Sequence, residues 1–476
     1  MEFATASDVA RAVSRARDAQ FRWFKLPFSD RLKIVRRFHD RVLSQRDRIL
    51  DTIQSETGKS RRDALTEVIA VAGTARYYLQ NSARHLESQR RQSAVPAITS
   101  AEVIFKPHGV VGLITAWNYP FLLGIGDAIP ALIAGNAVVV KGSELTPLSV
   151  DLARDLFVES GIDPDLLANV HGGGDVGNEL IQHVDYVGFT GGTETGRKVA
   201  VAASSRLIPF SLELGGKNPM IVLEGASLDN VINGILVGAF ANSGQSCISI
   251  ERAYIQESIY EEFARRLVQK TSQLKLGWSP SWDINIGSMI SVAHAENVRR
   301  RIEQAVNAGV RVLAGGGYPR ELGPAFVEPT ILSGASDDMP ISRQETFGPV
   351  IALYPVRSVE EAIRRANDSS FGLNASVWAG DRSQARAVAR QLDTGSAAIN
   401  STLLIYSTFD VPMGGVKQSG IGHRHGEHGI LRYTQVESIV SSIARGGGHD
   451  SLLLRIKNER MANILTAVMK LWRRVG

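Results

Sequence analysis

The chain has 476 residues, 44% of them hydrophobic and 21% charged, with a formal net charge of +5. That length suggests roughly three domains around a large core, and the composition is that of a globular chain, which excludes disorder. The basic clusters Arg36-Arg37, Arg90-Arg91 and Arg299-Arg300-Arg301 lack interleaved aromatics, so they read as solvated helix faces and argue against nucleic-acid binding.

The first stretch reads as helices. Leu32, Val35, Phe38, Val42 and Ile49 recur at helical spacing behind Ser29-Asp30, a predicted N-cap pair. A second helix is expected from about Arg62 to His85, where charge and Pro96 break the pattern. From Val110 the texture changes. Val110 to Thr115, Ala137 to Val140 and the run ending Val187-Gly188-Phe189 are β-branched and apolar, and they alternate with helical segments such as Ser149 to Ser160. A second series begins at Met220 to Leu223 and continues through helices near 260–275 and 293–308 and strands at Val310 to Leu313 and Val350 to Tyr354. Alternation of this kind predicts mostly parallel sheets, and two such units in tandem predict two α/β domains with a cleft between them. Gly446-Gly447-Gly448 reads as a hinge before a tail over 450–476. There Met461, Ile464, Leu465, Val468 and Trp472 share one helical face, with Lys470, Arg473 and Arg474 near its end. Such a stripe either packs on protein or lies on a membrane surface. No apolar run is long enough to span a bilayer and no signal-peptide core is present. With one cysteine, a reducing cytoplasm is expected.

That cysteine, Cys247, follows Asn242-Ser243-Gly244-Gln245-Ser246. A lone thiol is either a small buried apolar group or a nucleophile, and the glycine and polar residues before it argue for the second. Glu213-Leu214-Gly215-Gly216-Lys217-Asn218-Pro219 supplies a carboxylate beside two glycines at the junction of the two units, a candidate base. Phe189-Thr190-Gly191-Gly192-Thr193-Glu194-Thr195-Gly196 follows a strand and opens a helix, as a dinucleotide-binding turn does, although a plain tight turn reads nearly as well. Lys141-Gly142-Ser143-Glu144 ends the Val138-Val139-Val140 strand with a cation and a carboxylate. A carboxylate there accepts from ribose hydroxyls and repels a 2′-phosphate, which favours NAD over NADP. Asn118, in Trp117-Asn118-Tyr119-Pro120, is either a turn asparagine or a donor to an oxyanion.

Together these segments resemble the NAD(P)-dependent aldehyde dehydrogenase superfamily over nearly the whole chain, from about Ala10 to Val440. Ala116-Trp117-Asn118-Tyr119-Pro120, Lys141 to Pro147, Phe189 to Gly196, Glu213 to Lys217, Gly244 to Cys247, Glu345-Thr346-Phe347-Gly348-Pro349, Pro412-Met413-Gly414-Gly415 and Ser419-Gly420 carry the likeness. Glu213 to Met220, Cys247-Ile248-Ser249-Ile250-Glu251-Arg252 and Arg424-His425-Gly426 resemble a bacterial branch usually named succinate-semialdehyde dehydrogenase.

The resemblance implies an α/β fold. A Rossmann-like NAD-binding domain would span residues 1–85 and 107–215, an α/β catalytic domain 216–420, oligomerisation strands 86–106 and 432–443, and a tail 446–476. It implies Cys247 as catalytic thiol, Glu213 as general base, and Asn118 with the Cys247 N–H as oxyanion hole, with no metal. Cofactor contacts would come from Thr115, Ala116, Trp117, Lys141, Ser143, Glu144, Gly174, Phe189, Thr190, Gly191, Gly192, Thr193, Gly196, Leu214, Glu345 and Phe347. The implied reaction is oxidation of a small aldehyde to an acid with NAD (NADP possible), without coenzyme A, in a dimer or tetramer. A membrane-associated enzyme of longer or fatty aldehydes is the alternative. Four positions depart from the pattern: Gly192 stands where serine is usual, Gly142 replaces a frequent proline, Asp127 stands where many relatives have lysine, and Gly126 stands where some relatives have tryptophan and several succinate-semialdehyde enzymes have an arginine that grips the substrate carboxylate.

Overall fold

The computed structural model describes residues 3–93, 99–442, 456 and 458–472. The chain forms two compact units, one of residues 1–85 with 107–434, the other of 86–106 with 435–476.

The larger unit opens with helices. Thr5 caps the helix Ala6–Phe24 in a capping box with Asp8, whose carboxylate accepts from Thr5 N at 2.9 Å. The next helix, Phe28–Ser44, starts earlier than its sequence suggests. Pro27 occupies the cap position at φ −51°, and its carbonyl accepts from Asp30 N at 2.9 Å, so Ser29 and Asp30 fall in the first turn rather than capping it. A proline presets the helical entry angle without any side-chain cap. Helices Arg46–Thr57 and Arg61–Leu86 complete the group.

A six-stranded sheet follows, in the spatial order Gly420–Ile421, Phe210–Glu213, Tyr186–Thr190, Val110–Ile114, Ala137–Lys141, Leu167–Asn169. The last five are parallel, and only Gly420–Ile421 runs antiparallel, pairing Gly420 with Glu213. Val110, Val111, Val138 and Val139 are wholly buried because helices cover both faces. Burying each such side chain contributes about 1.5–3 kcal/mol. In chain order the five parallel strands lie 5-4-1-2-3, so the connections diverge between Val110–Ile114 and Tyr186–Thr190. In open α/β sheets, ligands bind beyond the strand ends at such a divergence. Thr115 to Asn118 and Thr190 to Gly192 lie there.

The seven-stranded sheet runs Arg311–Ala314, Thr330–Ser333, Val350–Val356, Ile250–Gln256, Asn218–Val222, Asn374–Trp378, Ser396–Ile399, antiparallel only at its first pair. Its two faces carry separate apolar clusters, one including Tyr254, Val298 and Ile302, the other Phe240, Phe263 and Leu267. Glu213 ends a strand of the first sheet, and Cys247 precedes the strand Ile250–Gln256 of the second.

In the smaller unit, Gln89–Arg91, Thr99–Pro107 and Thr434–Ser442 form a three-stranded sheet in that order. Val436, Ile439 and Val440 of its edge strand are exposed. The helix Glu459–Trp472 exposes Met461, Ile464 and Met469. The predicted glycine hinge, Arg473, Arg474 and the side chains of Val468 and Trp472 lie outside the described residues. Among the described residues no helix is long and apolar enough to cross a membrane.

Candidate active site

The helix Leu228–Phe240 runs into the turn Ala241–Gly244, where Asn242 (φ 52°), Ser243 (φ 55°) and Gly244 (φ 69°) are all left-handed. Each of the two non-glycine residues costs about 1–2 kcal/mol in that conformation. Gly244 admits no side chain, since a Cβ would stand 2.1 Å from Gly348 O. Hydrogen bonds hold the turn. Asn242 Nδ2 donates to Asn118 O at 2.9 Å and to Gln245 O at 3.1 Å, and Ser243 Oγ donates to Gly287 O at 2.8 Å. Cys247 emerges from it half-buried, and its carbonyl accepts from Asn218 Nδ2 at 2.8 Å.

Asn118 is tied to the same turn. Its Nδ2 donates to Gln245 O at 3.1 Å, spending one of its two N–H donors. Its carbonyl also accepts from Lys59 Nζ at 2.7 Å. Lys59 is itself buried and paired with Glu67 at 2.8 Å, and Glu67 accepts from Leu122 N at 3.0 Å. This ion pair anchors both sides of the Asn118 turn. A second buried pair, Lys217 with Glu251, does the same for residues 345–347. Glu251 accepts from Thr346 N at 2.9 Å and Phe347 N at 3.1 Å, and Glu345 Oε1 accepts from Gly216 N at 2.7 Å.

Glu213 is buried, and its Oε1 has no hydrogen-bond partner among the described residues. Arg424 Nε lies 3.6 Å and Arg432 Nη1 3.8 Å from it. Asp127 sits between those arginines, 3.0 Å from Arg424 Nη2 and 2.7 Å from Arg432 Nη2. Four charges, Glu213 and Arg424 buried and Asp127 and Arg432 partly so, therefore form one cluster. Burial pushes the Glu213 carboxyl up to about 6, against the pull of Arg424 and Arg432, with Asp127 adding to the rise. Burial would raise Asp127 too, but the two guanidinium groups outweigh it and hold that carboxyl below its ordinary range. The Cys247 thiol is pushed up to about 12, chiefly by burial, despite Arg424. A thiol so raised is protonated at neutral pH and needs a base to become a nucleophile.

Most of the residues expected to contact a cofactor lie at the end of the first sheet. Thr115 is buried with Oγ1 unpartnered, and its N–H donates to Lys141 O at 3.0 Å. Ala116 follows it, half-buried. Trp117 meets Phe347 edge-on at 5.5 Å. Lys141 is buried with Nζ 3.3 Å from the exposed Glu144 carboxylate, and Ser143 Oγ accepts from Leu145 N at 3.3 Å. Gly192 caps the helix Thr193–Ser205, whose first N–H groups receive no side-chain cap. Gly191 lies against the Phe189 ring and Gly196 against Leu214, each so close that a Cβ would intrude at 2.6 and 2.5 Å. Thr190 Oγ1 accepts from Arg424 Nη2 at 3.0 Å. Gly174 opens a separate helix, Gly174–Ile181, and is exposed. An uncapped helix N-terminus at the strand divergence, an unpartnered threonine hydroxyl and a lysine–glutamate pair at the neighbouring strand end fit a pyrophosphate and a ribose. Burial first, then Glu251, pushes Glu345 up to about 8.

Sequence reasoning missed Lys59, Glu67, Glu251, Arg424 and Arg432 as site residues. Glu251 and Arg424 lie inside quoted motifs, but no spacing showed that Arg424 meets Asp127, 297 residues away. Among the described residues no group of three or more His, Cys, Asp and Glu side chains is placed to hold a metal ion.

This geometry coincides with a match to the aldehyde dehydrogenase family over residues 1–439. A Mycolicibacterium smegmatis protein, provisionally named a succinate-semialdehyde dehydrogenase (NADP+), is 43% identical over 440 residues, covering 92% of this chain and 85% of the relative. The NAD+ complex of an aldehyde dehydrogenase from Bacillus cereus superposes with a TM-score of 0.88 at 34% identity, covering 93% of this chain and 90% of the other. An aldehyde dehydrogenase from Brucella melitensis biovar abortus superposes at 0.89 with 33% identity, covering 94% and 91%. The chain belongs to the aldehyde dehydrogenase family. It is an oxidoreductase acting on aldehydes.

Proposed function

We propose that the chain oxidises a small semialdehyde of the succinate-semialdehyde type to its acid, with Cys247 as nucleophile, Glu213 as base and Asn118 as oxyanion donor. The observation that carries the reading is the half-buried Cys247 on a hydrogen-bonded turn tied to Asn118, together with a buried carboxylate, Glu213, that has an unpartnered oxygen.

Glu213, ionised above about pH 6, takes the thiol proton directly or through a water. The thiolate adds to the aldehyde carbon. The second N–H of Asn118 and the Cys247 backbone N–H stabilise the alkoxide, and loss of one such donor typically costs about 3–4 kcal/mol of barrier. Lys141, Glu144, Thr115, Thr190 to Thr193, Leu214, Glu345 and Phe347 are the residues that would hold a nicotinamide dinucleotide. The chemistry such a group supplies is hydride acceptance. Departure of the hydride leaves a thioester on Cys247, and Glu213 then deprotonates the water that hydrolyses it.

Glu144 supports NAD over NADP, with Lys141 beside it leaving NADP possible. The M. smegmatis relative, whose name specifies NADP+, supports the semialdehyde class. Assembly through the strand Thr434–Ser442 and a cytoplasmic setting complete the proposal. The alternative of a membrane-associated fatty-aldehyde enzyme is not favoured, since no specific observation supports it. Cys247→Ala should abolish NADH formation from every aldehyde while leaving NAD affinity within about twofold, read by steady-state assay and calorimetry. Persisting turnover in that variant would end the proposal.

A further inference from the structure

Phe347 holds φ 53°, a left-handed backbone conformation that is costly for a bulky residue. Three contacts keep it there. The Glu251 carboxylate accepts from Phe347 N at 3.1 Å and from Thr346 N at 3.0 Å, both through Oε1. On the other side, the Phe347 carbonyl accepts from His294 Nε2 at 2.8 Å. Burial pushes that imidazole below its ordinary value, so it is neutral, with its proton on the nitrogen that faces the carbonyl. The Phe347 ring meets Trp117, the residue before Asn118, edge-on.

The same carboxylate is tied to the nucleophile. Glu251 lies four residues after Cys247 in the strand Ile250–Gln256, is only 3% exposed, and pairs through Oε2 with Lys217. Next to Lys217, Asn218 Nδ2 donates to Cys247 O at 2.8 Å and to Ser249 O at 2.7 Å. Gly216 N donates to Glu345, and a Cβ on Gly216 would stand 2.5 Å from Cys247 O. Residues 216–218, 247–251 and 345–347 therefore interlock. Glu251 belongs to the second segment and bonds to both of the others. A buried pair kept for stability alone could be replaced by apolar side chains with little loss. Apolar side chains could not accept from two adjacent main-chain N–H groups at a left-handed residue.

We propose that Glu251 is a positioning residue for the cofactor: by holding Phe347 in its left-handed conformation it fixes the segment 345–347 against Cys247, at the end of the crevice that takes the nicotinamide. Hydride leaves the carbon bonded to Cys247, so the accepting ring belongs at this end. Lys141 and Glu144, on the adenosine side, pair with each other and share no hydrogen bond with Glu251, Lys217 or residues 345–347 among the described residues. Loss of Glu251 should therefore loosen one end of the dinucleotide site and spare the other. This inference rests on nicotinamide dinucleotide binding at these residues and aldehyde oxidation at Cys247.

The test compares two double variants of the full chain, each lacking both buried ions so that neither is stranded. Lys217→Met with Glu251→Gln keeps a carbonyl oxygen for the Thr346 and Phe347 N–H groups, whereas Lys217→Met with Glu251→Leu keeps none. Calorimetry on folded protein measures binding of NAD and of ADP, which lacks the nicotinamide end. The leucine variant should bind NAD about tenfold or more weakly than wild type, since the competent backbone is then populated only part of the time. Its ADP affinity should stay within about threefold, and the glutamine variant should hold both ligands within about threefold. Unchanged NAD affinity in the leucine variant, equal loss of NAD and ADP, or a glutamine variant as weak as the leucine one overturns the inference. Wild type supplies a check that needs no variant: amide exchange at Thr346 and Phe347 should be slow before any cofactor is added. Fast exchange that slows only with NAD would also overturn it. Unchanged NAD binding in the leucine variant leaves aldehyde oxidation standing, whereas wild type that binds neither NAD nor NADP sinks the cofactor reading itself.

Discussion

On the side of the first sheet the crevice is walled by strand ends and glycines, and on the side of Cys247 by left-handed backbone and buried charge. The first wall needs little energy to maintain. Its donors are backbone N–H groups at a helix start, and Gly192 stands where a Cβ would meet nothing. The second wall is costly. Asn242 and Ser243 sit in unfavourable backbone conformations, and the Lys59–Glu67 and Lys217–Glu251 pairs are almost wholly removed from water. Desolvating such ions costs several kcal/mol each, repaid only while every partner is in place. The lesson is that a wall made of main chain tolerates sequence change where it has room, at Gly192 but not at Gly191 or Gly196, whereas one made of mutually dependent side chains tolerates it nowhere.

That contrast can be broken from the costly side first. Glu213→Gln should reduce thioester hydrolysis by about 10²–10⁴-fold, read as acyl-enzyme accumulation in a burst experiment. A normal steady-state rate would remove Glu213 from its role. Glu251→Gln should destabilise the fold by about 3–5 kcal/mol in denaturant titration, because Lys217 is left buried and unpaired. A loss below 1 kcal/mol, the scale of a surface pair, would show that Lys217 finds another partner.

The electrostatics can be sharpened through pH. Glu213 must be ionised to act, so wild-type kcat/KM should fall as pH drops through about 6. Asp127 is a negative charge that raises that value, so Asp127→Asn should move the acid limb to lower pH. Movement to higher pH would mean that loosened arginines matter more than the lost charge. Least affected should be Gly192→Ser on the main-chain wall. There is open space for the side chain, and unfolding free energy should change by no more than about 0.5 kcal/mol in denaturant titration.

Much of this was legible in the sequence, and for identifiable reasons. Strands such as Val110–Ile114 and Ala137–Lys141 announce themselves because a parallel sheet covered on both faces demands continuous apolar runs. Cys247, Glu213 and Asn118 stand out because each sits among turn residues that a core would not use. The start of Phe28–Ser44 differs from expectation because Ser29-Asp30 looks like a cap, while Pro27 fixes the chain direction two residues sooner. What stayed hidden was pairing at a distance. Lys59 resembles a surface lysine until the fold sets it against Glu67 and the Asn118 carbonyl, and Arg432 opens a segment expected to serve as an oligomerisation strand.

The antiparallel strand Gly420–Ile421 bears on how the enzyme is made. It rejoins the first sheet beside Glu213 only after the entire second sheet has been threaded, and Arg424 and Arg432 arrive with it. A nascent chain released from the ribosome before residue 424 would own its sulfur and its carboxylate yet lack the two cations that govern that carboxylate's charge. Full reactivity is thereby postponed to the closing moments of synthesis, and C-terminal truncation should silence the protein even where most of both sheets could still assemble.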